Sequence, residues 1–112
     1  MRLFTLLLLA LAFSSSEMRT AGAAVACPQI VDTVCAVGMS KQLKTYNNKC
    51  EAMRAGGRFL HQGVCFPEFC AHICIEHGVY GRGVFTGRLR LYDNLCWAEK
   101  NFARYIRDGK CP

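Results

Sequence analysis

A chain of 112 residues with 14 basic against 8 acidic side chains, a formal charge of +6 and eight cysteines is bounded by what it cannot build. Behind an N-terminal leader fewer than ninety residues remain, too few for one large apolar core, and no apolar run approaches the roughly 20 residues needed to span a bilayer. The charge alone argues for neither nucleic acid nor phosphate as a partner, because there is no Gly-rich phosphate loop and no nucleic-acid motif.

In chain order, Met1 to Ala26 reads as a secretory signal peptide. Arg2 precedes an apolar run from Leu3 to Phe13, and the small-residue sites Ala21-Gly22-Ala23 and Ala24-Val25-Ala26 place cleavage after Ala23 or Ala26. The protein is therefore expected to be secreted and extracellular, with no stable membrane anchor. Lipidation of Cys27 is set aside, because the apolar run lies far upstream and Cys27 completes an even cysteine count. Losing Arg2, Glu17 and Arg19 leaves twelve basic and seven acidic residues, or +5. All eight cysteines, at 27, 35, 50, 65, 70, 74, 96 and 111, lie behind the leader. An even count in an oxidising compartment implies a disulfide framework, each bridge contributing about 3 kcal/mol in place of a missing core. Spacing alone leaves about 105 pairings open.

Pro28–Val34 is an extended connection from Cys27 to Cys35. Asn48 is a candidate cap for a first helix, Gly56-Gly57 its left-handed stop, and Arg58–His61 a short strand that turns at Gly63 before Cys65. The linker Phe66-Pro67-Glu68-Phe69 is too short to let its flanks separate, and Phe66 and Phe69 are expected to pack between them. Only Ala71, His72 and Ile73 separate Cys70 from Cys74, too few for a loop that must project. Ile75–Leu91 reads as a β-hairpin with Val84-Phe85-Thr86 and Leu89-Arg90-Leu91 as strands and Gly78, Gly81, Gly83 and Gly87 as punctuation. Asn94 caps a second helix carrying Trp97. Phe102 and Ala103 stand where the first helix has its glycines, so this helix is expected to run longer before the strand Arg104–Arg107.

These two stretches are copies. Thr45–Cys65 and Leu91–Cys111 align without a gap and share Tyr46/Tyr92, Asn48/Asn94, Cys50/Cys96, Ala52/Ala98, Arg58/Arg104, Gly63/Gly109 and Cys65/Cys111. Two modules follow, residues 27–65 and 70–111, joined by 66–69. If each is self-contained, its four cysteines have three pairings to choose from.

The first module resembles a Kazal-type serine protease inhibitor domain in its Cys, seven residues, Val-Cys opening, its Tyr-x-Asn-x-Cys segment and its Gly-x-Cys ending, over the whole of Cys27–Cys65. The resemblance implies a small disulfide-rich α+β fold of two tandem Kazal-like modules, each a short helix packed on a small antiparallel sheet. It implies bridges Cys27–Cys50, Cys35–Cys65, Cys70–Cys96 and Cys74–Cys111, and a monomer whose partner is an extracellular serine protease. It also implies a protease-binding loop containing Pro28, Gln29, Ile30, Val31 and Asp32, with Gln29 as the primary specificity residue, Gln29–Ile30 as the quasi-scissile bond and Asn48 bracing the loop from behind. This sequence departs from the family where a third disulfide is usual: Met53 occupies the helical position and is read as core filler. The segment from Cys35 to Tyr46 is also longer than usual.

A second reading, from another class, is a secreted cationic antimicrobial or defence peptide. Cys70–Cys74 followed by Gly78 and Gly81 faintly resembles the helix and glycine turn of plant defensins, and a hairpin carrying Arg82, Arg88 and Arg90 could touch an anionic membrane surface. Such a protein would anchor one helix with both Cys70 and Cys74. A non-inhibitory Kazal-like binding protein is the third alternative. Catalysis, cofactors and metal are not expected: the cysteines are committed to bridges, and His72 and His77 lie off the i, i+4 spacing that would place both on one helical face.

Overall fold

The computed structural model describes residues 26–112. The signal-peptide reading therefore lies outside the described residues apart from Ala26. The chain forms β1 (Val34–Val37), β2 (Leu43–Tyr46), α1 (Lys49–Arg54) and β3 (Arg58–Gln62), then repeats the order as β4 (Gly78–Gly83), β5 (Leu89–Tyr92), α2 (Leu95–Lys100) and β6 (Ala103–Gly109). It is a small disulfide-rich α+β protein with two antiparallel three-stranded sheets, ordered β2-β1-β3 and β5-β4-β6. The first strand of each half is central. Val34 lies opposite Tyr46 and Gln62, Val79 opposite Tyr92 and Asp108, and each central strand shifts register against its third strand two residues on, at Cys35/Ala36 and Tyr80/Gly81.

The helices sit on these sheets through small side chains. Ala52 packs with Val34 and Ala36, flanked by Tyr46 and Phe59. Ala98 packs with Val79 and Ala103, flanked by Tyr92 and Leu95. A third cluster joins the halves, with Cys35, Val37 and Leu60 meeting Val84 and Phe102. Two bridges close each half, Cys27–Cys50 and Cys35–Cys65 in the first, Cys70–Cys96 and Cys74–Cys111 in the second. Among the described residues no helix is long and apolar enough to cross a membrane.

Several elements differ from expectation. The inner strand of the hairpin is Gly78–Gly83, and Val84–Thr86 belongs to its turn. Glycine here serves close approach: a Cβ on Gly78 would stand 2.8 Å from the Tyr92 carbonyl oxygen, and one on Gly81 2.9 Å from the Ala103 Cβ. The second helix does not run longer, since both helices have six residues. Phe102 takes the left-handed backbone, φ 55°, that Gly56 takes in the first half, φ 84°. Its ring is held in the shared cluster and meets Phe85 edge-on at 5.9 Å. Phe69, expected to pack, is 83% exposed, and Met53, expected as core filler, is 63% exposed, because the helix face carrying Met53 turns away from the sheet that Ala52 covers.

Phe102 sets a conformational cost against a packing gain. A non-glycine residue in the left-handed region loses about 1–2 kcal/mol, and truncating a packed aromatic ring loses about 3 kcal/mol or more. Phe102→Gly is therefore expected to destabilise the folded, oxidised protein by roughly 1–2 kcal/mol net, read as a lower guanidinium midpoint.

Candidate functional site

The Pro28–Asp32 segment is exposed but fixed at several points. Cys27 is bonded to Cys50 in the first turn of α1. At the other end, the Asp32 N–H donates to the Asn47 carbonyl at 2.7 Å, Gln62 donates to the Asp32 carboxylate at 2.9 Å, and Val34 enters the buried strand β1. Between these anchors stands Asn48, buried at the N-terminus of α1. Its Oδ1 accepts the Glu51 N–H at 2.9 Å and so caps the helix. Its Nδ2 donates to the carbonyls of Pro28 (3.2 Å) and Ile30 (2.7 Å), the two residues that flank Gln29. The backbone on either side of Gln29 is thus held from behind while Gln29 remains exposed.

The second half repeats this geometry where the three-residue spacing pointed to a lost loop. Asn94 caps α2 by accepting the Trp97 N–H at 3.0 Å, and its Nδ2 donates to the carbonyls of Ala71 (3.1 Å) and Ile73 (2.8 Å), flanking His72. The spacing misled because Cys74 is not placed as Cys35 is. Cys35 lies within its central strand, whereas Cys74 precedes β4 and reaches Cys111 from outside the sheet. The two loops differ in their central side chain. Trp97 donates from its indole to the Ala71 carbonyl at 2.9 Å and stacks on the His72 ring with centroids 4.2 Å apart. No counterpart of that stack exists at Glu51, the aligned position in the first half. Cys70–Cys74 is not helical, and Cys70 and Cys74 anchor different elements.

A buried ion pair fixes one loop-bearing half against the other. His61 of β3 is 4% exposed and Glu99 of α2 is fully buried, with Nε2 donating to Oε1 at 2.7 Å. His61 Nδ1 faces the Gln62 carbonyl at 2.7 Å, so a doubly protonated ring satisfies both acceptors. Glu99 also accepts from the Phe66 N–H and from Lys100 Nζ, whose ammonium further donates to the Phe66 carbonyl. The linker thus docks through its backbone. Nothing local in the sequence marks this pair, since its members lie 38 residues apart.

Burial alone would push the His61 pKa down, but the hydrogen bonds to Glu99 and the Gln62 carbonyl, with the charge of Glu99, outweigh it and hold it above 6.5. Burial would likewise raise Glu99, but hydrogen bonds from His61, Phe66 and Lys100 hold it below 4.5. No family model, curated protein or solved structure matches this chain.

The pair imposes a pH window. The stabilisation due to Glu99 is present above 4.5 and is lost as pH falls through its lowered folded value. That due to His61 is present below 6.5 and is lost as pH rises through its raised folded value. Denaturation midpoints measured across pH should peak between those limits, and His61→Gln should flatten the alkaline limb. An unchanged alkaline limb in His61→Gln would contradict the assignment.

Proposed function

We propose that this chain is a secreted serine protease inhibitor, Kazal-like in both modules, that acts by presenting Pro28–Val34 to a protease cleft as a substrate-like strand. The observation that carries this reading is the pair of hydrogen bonds from Asn48 Nδ2 to the Pro28 and Ile30 carbonyls on either side of Gln29. The leader and the four bridges support secretion into an oxidising compartment.

In this reading Gln29 enters the primary pocket and Gln29–Ile30 lies across the protease nucleophile. A braced loop loses little ordering entropy on binding. If the bond is attacked, Cys27–Cys50 and Asn48 hold both new ends close together, so the amine of Ile30 stays within reach of the acyl-enzyme and resynthesis competes with hydrolysis. The neutral amide of Gln29 neither pairs with the carboxylate of a trypsin-like pocket nor fills an apolar one, which points to a target that accepts a polar side chain. The second half serves as scaffold or exosite, its His72 held against Trp97.

Gln29→Arg supplies the cation that a trypsin-like pocket selects and is expected to gain trypsin inhibition when the oxidised protein and this variant are run against a protease panel. Silence from both, with the four bridges verified by mass mapping, would overturn the reading. Asn48→Asp separates the two roles of that side chain. It keeps an oxygen to cap α1 but sets an acceptor against the two loop carbonyls in place of the Nδ2 donor, so it should weaken inhibition by about tenfold or more, with cleavage at Gln29–Ile30 seen by mass spectrometry and the helix content by far-ultraviolet circular dichroism retained.

A further inference from the structure

The two halves line an open cleft of about 570 Å³ that shares no lining residue with the Pro28–Asp32 loop. From the first half it is lined by Lys49, Arg58 and Phe59, and from the second by Arg82, Val84 and Arg104. Four cationic side chains thus converge on one cleft, and no carboxylate is among its lining residues. The floor is apolar: Lys49 Nζ stands 4.5 Å from the centre of the Phe59 ring, so charge lies directly over an aromatic face. Two of the guanidiniums are already positioned by the fold. Arg58 donates across the halves to the Val84 carbonyl at 2.8 Å, and Arg82 donates to the Gly87 carbonyl at 3.0 Å. Each of these bonds uses one of five N–H donors, so capacity for an anion remains.

We infer that this cleft binds an amphipathic anion, a phosphate, sulfate or carboxylate head carried on an apolar body. The head is neutralised by Arg82, Arg104 and Lys49, and the body lies on Phe59 and Val84. Four like charges brought together without a carboxylate repel one another, and an anionic head removes that repulsion. The volume falls in the range of small-molecule sites rather than of a polymer groove, which favours a compact ligand over an extended polyanion. Because both halves contribute cations, the ligand would bridge them. The inference stands apart from the inhibitor reading, since none of its residues lies in the Pro28–Asp32 loop.

The test is calorimetric titration of the oxidised protein with 1-naphthyl phosphate, inorganic phosphate and 1-naphthalenemethanol. The naphthyl phosphate is expected to bind at least about tenfold more tightly than either of the other two, because only it engages both the cations and the apolar floor. Arg104→Gln and Lys49→Gln, exposed positions from opposite halves, are each expected to weaken that binding about tenfold while leaving the near-ultraviolet circular dichroism unchanged. Equal affinity for the neutral alcohol would reduce the cleft to a non-specific apolar surface, and equal affinity for inorganic phosphate would reduce it to a diffuse basic patch. Either result, no binding of the naphthyl phosphate, or variants that bind as tightly as the parent, would overturn the inference.

Discussion

A single amide side chain in each half joins two things that would otherwise be independent, the start of a helix and the path of an exposed loop. The carbonyl end of Asn48 or Asn94 satisfies an N–H that the first helical turn cannot pair by itself, and the amide end reaches back to two loop carbonyls. Because the oxygen is fixed by the helix, the direction of the two N–H donors is fixed as well. The loop is therefore oriented by the helix, and the helix by its alanine contact with the sheet. Placement of the loop backbone is in this sense a property of the core.

The two halves show how far such a scaffold can change while that amide is kept. The first half holds a cysteine within its central strand, whereas the second holds Tyr80 at that register and carries its cysteine before the strand begins. The first ends its helix with glycine, the second with Phe102, whose ring closes the boundary between the halves. The first leaves the residue between the braced carbonyls unstacked, and the second stacks it on an indole while leaving it exposed. In each case the backbone path persists and the side chains around it decide what the surface offers.

Much of this was legible in the repeat. Asn48 and Asn94 announced two helix starts because a short polar side chain before a helical stretch has a local reason to be there, and Arg58 and Arg104 fell in strands for similarly local reasons. The errors arose where the deciding contact is distant in sequence. Gly78 and Gly81 look like turn residues until Tyr92 and Ala103 come to lie against their backbone. Phe102 looks like helix continuation until the first half supplies a place for its ring. Glu99 carries no local sign of burial, because its partner His61 is brought beside it from the other half of the chain. Likewise the second braced loop was hidden by a cysteine spacing that has its meaning only once the bridge to Cys111 is drawn.

The buried His61–Glu99 contact also bears on how the repeat behaves as a unit. Each half has its own sheet, helix and pair of bridges, the arrangement of beads that might be cut apart or strung in longer arrays. Yet cutting at the linker would strip Glu99 of both His61 and the Phe66 amide, and would bare Leu60 and Val37 where Val84 and Phe102 now lie. A carboxylate that loses its histidine and amide partners loses the stabilisation of the pair, and an apolar face left without cover invites association. The halves are thus tandem in the chain but share one buried contact surface, to which each supplies groups that the other completes.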